Sequence, residues 1–308
     1  MTAAQVLRPA PYGPSISLPA PYPEGTAFPL SLSPARAGVS LDDITAEIRG
    51  LAASGRISSL LDRHGAVYFQ GLGLKNAHEF SKFAHAFGWL PHEDIGNPVR
   101  RTVLAKNVAT ANEGPNTQPV YPHNEFGLSP HYPAYGVKYQ LFHPNGPKDQ
   151  TTSAGTTVLQ AYGRHVLDSD DAETTRQKIE KEIRRLPTAT WRWENQSATN
   201  PLGDLRVWQV LPVARDHPRT RQRAFFNNIV SRFLNADNAG TLLPPHLTGD
   251  GKYQPPAFYG DDSLIPREYL DSAVEFINET RAMVTWQAGD VILIDNHHVQ
   301  HAREPWTG

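Results

Sequence analysis

Apolar residues Ile44, Ile48 and Leu51 recur at helical spacing on one face, so a helix is expected behind Ser40 or Asp42 as its cap. It should continue, with a break at Gly55, to Leu61. The period then changes. HGAVYFQGL is a short apolar run of strand type closed by Gly71, and Phe80, Phe83 and Phe87 return to helical spacing. Strands are expected from Tyr135 to Leu141 and from Thr156 to Leu159, joined by the turn-rich GPKDQTTSAG. A helix from about Asp170 to Arg185 is rich in Glu, Lys and Arg and presents a mostly solvated face. TATWRWE, RVWQVLPV and RAFFNNIV read as further short strands. Pro266 opens a helix with Tyr269, Ala273, Phe276 and Ile277 on one stripe. MVTWQAGDVILIDNHHVQH reads as two strands about a Gly-Asp turn.

Ahead of the first helix, prolines at 9, 11, 14, 19, 21, 23, 29 and 34 remove backbone donors, and residues 1–38 are expected as an extended arm on the surface. Residues 39–308 are read as a single domain. Its short strands, with helices in front and inserted, predict a mainly β fold with flanking helices: a curled antiparallel sandwich or barrel.

Composition narrows the function classes. A formal charge of −2 over 308 residues, with scattered Lys and Arg, offers no footprint for nucleic acid or anionic lipid, so a small-molecule substrate is expected. Without cysteine there can be no disulfide framework, thiolate metal site or thiol nucleophile, and any transition metal must use nitrogen and oxygen ligands. No window approaches the ~18 apolar residues of a membrane span, and the start lacks a signal-peptide pattern. A cytoplasmic protein is expected; the oligomeric state is not legible.

Candidate chemistry lies in the histidines. There are 13, and two stand in a His-x-Asp/Glu pattern: His92-Glu93-Asp94 and His123-Asn124-Glu125. On a strand, residues i and i+2 share a face, so either pair could offer an imidazole and a carboxylate to one ion. Two His and one carboxylate on one face of iron leave positions open for a chelating co-substrate and O2. His297, His298 and His301 all follow the apolar VILID run as candidates for the third ligand, and periodicity does not choose among them. His92 sits in a loop-like PHEDIGNP stretch and reads as structural, whereas Tyr121, Pro122 and Phe126 give His123 a more apolar setting. A His2Glu set also fits a zinc hydrolase.

Four segments, in order, resemble the taurine dioxygenase (TauD/TfdA) family of Fe(II)/2-oxoglutarate oxygenases, and within it a SyrP-like branch from natural-product biosynthesis. They are HGAVYFQGLGLKNAHEFSKFAHAFG, with Gln70 where arginine is common; HNEFGLSPHYP; LPVARDHPRTRQRAFFNN; and YGDDSLIPREYL through WQAGDVILIDNHHVQHAREPWTG. The resemblance implies a double-stranded β-helix (jelly-roll, cupin-like), with Fe(II) as metal and 2-oxoglutarate and O2 as co-substrates. It makes His123, Glu125 and His301 the ligands and demotes His92, His297 and His298. It offers Thr157, in the AGTT stretch at 154–157, for the distal carboxylate of 2-oxoglutarate, and Asn227 for the substrate pocket. Arg303 would support the site or pair at the surface. The family's 2-oxoglutarate-binding arginine is expected about a dozen positions after His301, beyond residue 308, together with a closing strand. The implied reaction oxidises an aliphatic C–H of an amino-acid-like or peptide-like intermediate by hydroxylation, cyclisation or desaturation. Glu125 argues against halogenation, which needs the carboxylate absent. A zinc hydrolase and a non-catalytic β-sandwich binding protein are the rival readings.

Overall fold

The computed structural model describes residues 5–13, 16–91, 101–111, 115–125, 136–148, 151–152 and 155–307. Two four-stranded sheets organise it. The first runs Leu7–Pro9, Leu30–Pro34, Ala66–Phe69, Val291–Ile294 in spatial order. Its two central strands are parallel and the outer pairings antiparallel. Ala66–Phe69 is buried along its whole length, which is why AVYF is apolar throughout rather than alternating. Helices Leu41–Ala53, Arg56–His64 and Ala77–His85 cover the sheet with Ile44, Ile48, Ile57 and Phe83. Ser40 caps the first helix, and Gly55, at φ 74°, makes the break before the second. Phe69, Phe83 and Phe87 meet edge to face at 5.3–6.2 Å.

The second sheet runs Ala189–Glu194, Asp204–Pro212, Gly136–His143, Phe258–Tyr259, antiparallel throughout. Asp204–Pro212 alternates: Leu205, Val207, Gln209 and Leu211 are buried, while Arg206 and Trp208 lie on the other face. There Arg206 pairs with Glu194, and Arg192 lies 5.5 Å from the Trp208 ring. Helix Ala172–Ile183, capped by Asp171, packs Ile179 and Ile183 on Leu205 and Val207. Helices Ile229–Asn238 and Arg267–Thr280 cover Val137, Tyr139 and Leu211 with Ile229, Phe233 and Leu270. His143 is buried in this sheet: its Nδ1–H donates to Thr156 O at 3.0 Å, and desolvation pushes the ring down to about 4.

Several expectations need correction. The arm is not confined to the surface: Leu30–Pro34 is an inner strand, with prolines only at its borders, and Leu7 and Leu32 enter the core. The strand expected from Thr156 to Leu159 stops at Thr156, and Val158–Tyr162 is a helix. RAFFNNIV is strand only at Arg223–Ala224 before its end opens the Ile229 helix. In the Arg267 helix Leu270 is the buried residue, while Tyr269 and Phe276 are 60% and 54% exposed. Of the two strands expected about Gly289-Asp290, only the second, Val291–Ile294, forms. Asp290 instead binds Gly71 N, Gln287 N and the Tyr68 hydroxyl, and locks the turn onto the first sheet.

Candidate metal centre

Strand Val120–His123 pairs antiparallel with His301–Arg303, and the register sets His301 directly opposite His123. Facing positions on paired strands carry side chains to the same side, and the two imidazole centroids lie 4.3 Å apart. Glu125, just past the strand end, turns Oε2 between them, 3.6 Å from His123 Nε2 and 3.4 Å from His301 Nε2. Bonds of about 2.1 Å to one ion place neighbouring ligand atoms about 3 Å apart, so a small inward movement would complete the set. The tautomer agrees: His123 Nδ1 lies 2.8 Å from the Tyr121 carbonyl, which can only accept, so Nδ1 carries a proton and, in the neutral ring, it is the Nε2 lone pair that faces the cluster. The residues therefore fit a divalent metal ion.

The carboxyl of Glu125 is held well below the usual carboxylate range, first by the two imidazoles and then by Arg101, against the opposing effect of burial. Arg101 Nη2 reaches Oε1, the other oxygen, at 2.6 Å.

Four side-chain amides hold the turn that carries Glu125. Asn296 accepts from Glu125 N at 2.8 Å and donates to Glu125 O at 2.7 Å, gripping the ligand's own peptide groups. Asn124, 1% exposed, donates to Asn296 O and accepts from Asn227 N and Gln300 Nε2. Its own N–H donates to Asn228 Oδ1. The His-Asn-Glu, Phe-Asn-Asn and Asp-Asn segments of the sequence thus meet at one lattice. Asn227, expected at the substrate, is buried, with its amide donating to Val213 O and accepting from Ile229 N.

Thr157 is fully buried and caps the Val158 helix: its hydroxyl donates to Pro147 O and accepts from Gln160 N. Those bonds join it to the connector and the helix and not to the triad. Arg303 donates to Pro115 O and Gln118 O, bracing the approach to the Val120 strand. His92 and Asp94 lie outside the described residues.

His217, Asp295 and His297 form a second group close enough for an ion. Protonation argues against that use. His217 Nδ1 accepts from the main-chain N–H of Arg219 and Thr220, so the proton sits on Nε2 and points at Asp295 Oδ2, 3.0 Å away. No lone pair is left for metal, in contrast to His123. His298 stacks on His217 at 4.2 Å, and His297 on Phe226 at 5.1 Å. Burial lowers the pKa of both His297 and His298, which favours neutral, packed rings.

Sequence reading missed Arg101, Asn296 and the His217–Asp295 bond. The Asp-Asn pair was legible as a motif, but its role needs the main chain of a distant turn beside it. Arg101, in VRRTV, carries no pattern at all.

The family model described as taurine catabolism dioxygenase TauD, TfdA family matches residues 26–308. The chain is 24% identical over 315 residues to a clavaminate synthase-like protein of Arabidopsis thaliana, covering 92% of this chain and 91% of that protein. It is 25% identical over 289 residues to the dapdiamide synthesis protein DdaC of Enterobacter agglomerans, covering 82% of each. Among solved structures it resembles PvcB from Pseudomonas aeruginosa at TM-score 0.41 and 17% identity, over 100% of this chain and 89% of that one, too loosely to transfer any residue's role. Among the described residues no helix is long and apolar enough to cross a membrane.

Proposed function

Because the chain belongs to the TauD/TfdA family of dioxygenases, we propose that His123, Glu125 and His301 are the ligands of its Fe(II) and that the site oxidises an amino-acid-like or peptide-like small molecule. The observation that carries the assignment is the convergence of three donor atoms from two paired strands, with the His123 proton turned away from them. Bound there with 2-oxoglutarate and O2, iron supplies the oxidation of an unactivated C–H bond, with succinate and CO2 as co-products. The chain's own part is positioning. Three ligands on one side of the ion leave positions for a chelating co-substrate and for O2. The amide lattice keeps Glu125 from swinging out of reach.

Family membership favours this chemistry over a zinc hydrolase or a non-catalytic binding protein. The wider architecture is read as the family's jelly-roll, with the two described sheets as its walls. The substrate class is supported by the likeness to a dapdiamide synthesis protein, and the outcome would be hydroxylation, cyclisation or desaturation of a natural-product intermediate. Thr157 and Asn227 stay as candidates for 2-oxoglutarate and substrate, each also bonded inside the fold, the first as a helix cap and the second to Val213 O and Ile229 N.

The test is anaerobic addition of Fe(II) and 2-oxoglutarate. A visible charge-transfer band is expected, absent in His123→Ala and His301→Ala. Amino acids and dipeptides should then stimulate O2-dependent succinate formation. An undiminished band in His301→Ala would show the ligand set to be wrong; stimulation only by unrelated small molecules would discard the substrate class.

A further inference from the structure

The two oxygens of Glu125 have different partners. Oε2 lies between the imidazoles, whereas Oε1 receives the Arg101 guanidinium at 2.6 Å. Arg101 stands 24 residues earlier, at the entry to strand Val103–Ala105, and its side chain is 34% exposed, so it forms part of the site's wall. A carboxylate beside a divalent ion can bind through one oxygen or through both, and the second mode consumes a further coordination position. A guanidinium on Oε1 engages one of that oxygen's lone pairs and sets a positive charge beside it, which disfavours approach of the ion to that oxygen.

Resting on the triad proposed above, the geometry points to Arg101 as a positioning residue that restricts Glu125 to one-oxygen ligation. It thereby preserves the adjacent positions that a bidentate 2-oxo acid needs. Lysine is a poor substitute, because its ammonium is a point charge on a flexible stem, whereas the guanidinium is planar and rigid and so keeps its N–H on Oε1.

The sign of the effect separates this role from simple structural support. Loss of a supporting group usually weakens metal binding about 10–100-fold. Here Arg101→Gln removes a competing cation and frees Oε1, so the protein should bind Mn(II) as tightly as the parent or more tightly. Anaerobic 2-oxoglutarate binding to the Mn(II)-loaded variant should nevertheless weaken by at least about tenfold, in the range typical of outer-shell changes. Oxalate, which chelates without a distal carboxylate, should weaken to the same degree. A crystal structure of the Mn(II) variant should show both Glu125 oxygens on the metal, against one in the parent, and Arg101→Lys should fall between.

Calorimetric titrations of full-length parent, R101Q and R101K with Mn(II), then with each chelator, give the affinities. A parallel fall in Mn(II) and chelator affinity would reduce Arg101 to a support. Parental values throughout would remove any role, and a loss confined to 2-oxoglutarate would assign Arg101 to its distal carboxylate instead. Failure of the parent itself to take up Mn(II) would overturn the triad and this inference together, an outcome distinct from the other three.

Discussion

Replacing Asn296 with alanine should loosen the metal site without touching a ligand. The side chain makes two hydrogen bonds, both to the main chain of Glu125: the peptide N–H at 2.8 Å and the carbonyl at 2.7 Å. Each such bond contributes about 1 kcal/mol net. Their loss should therefore lower folding stability by about 2 kcal/mol, with water able to reach the freed groups because Glu125 is only partly buried. The Asn296 carbonyl still accepts from Asn124, so the turn stays tethered from one side. With the carboxylate free to wander, Mn(II) affinity should fall about 10-fold or more. Aspartate sharpens the test. It keeps an acceptor for the Glu125 N–H but sets a second oxygen against the Glu125 carbonyl, so Asn296→Asp should be at least as harmful as alanine despite its closer shape. Urea unfolding of the metal-free proteins followed by circular dichroism, and calorimetric Mn(II) titration, measure the two effects. Parental midpoint and parental affinity in Asn296→Ala would refute the clamp, and an Asp variant better than the Ala variant would refute the role given to the donated bond.

Three further outcomes follow from the same geometry. His143 is neutral when folded, with a pKa of about 4 against an ordinary 6.5, so the unfolded chain binds more protons between those values; its contribution is complete above 6.5 and about 2.5 kcal/mol is lost by pH 4.5. Urea midpoints of parent and His143→Gln at pH 7, 5.5 and 4.5 should show a shallower acid decline in the variant, and equal slopes would contradict the buried neutral ring. Because His217 has no lone pair to offer, the protein should bind one Mn(II) per chain, unchanged in His297→Ala; a second equivalent lost in that variant would restore the other cluster as a metal site. Asp295→Ala should cost about 3 kcal/mol in unfolding free energy, since it removes the buried bond from His217 and the one from His297 N; a loss below about 1 kcal/mol would show them to be dispensable.

Legibility in the sequence followed burial. Asp204–Pro212 could be read because one face is buried and the other carries Arg206 and Trp208, which leaves a clean period of two. Val158–Tyr162 and the start of the Ile229 helix could not, because a short apolar run has too few positions to separate the two periods, and β-branched Thr156 and Thr157 favoured strand. Thr157 was singled out for a ligand, yet the same hydroxyl satisfies a helix start, a local use that any threonine before such a run can serve. The triad needed the ordered family segments: spacing left His297, His298 and His301 equivalent, and only pairing with the Val120 strand separates them. Arg101 stayed hidden because an ion pair between two connecting segments leaves no periodic trace.

The facing of His123 and His301 across one short ladder also says where the chain can change length. Between Glu125 and Val291, everything but the Asn227–Asn228 pair that bonds Asn124 is, for the ion, a tether whose contour does not enter the coordination geometry. Insertions in its connecting segments should leave the ligands opposed, since closing a longer loop costs only about 0.6 kcal/mol per doubling. Residues 296–300 allow no such freedom. There Asn296 and Gln300 bond the turn that carries Glu125, so an added or deleted residue would pull that clamp out of step with His301. Natural variation in length should therefore collect in the long excursion and be absent from that five-residue stretch.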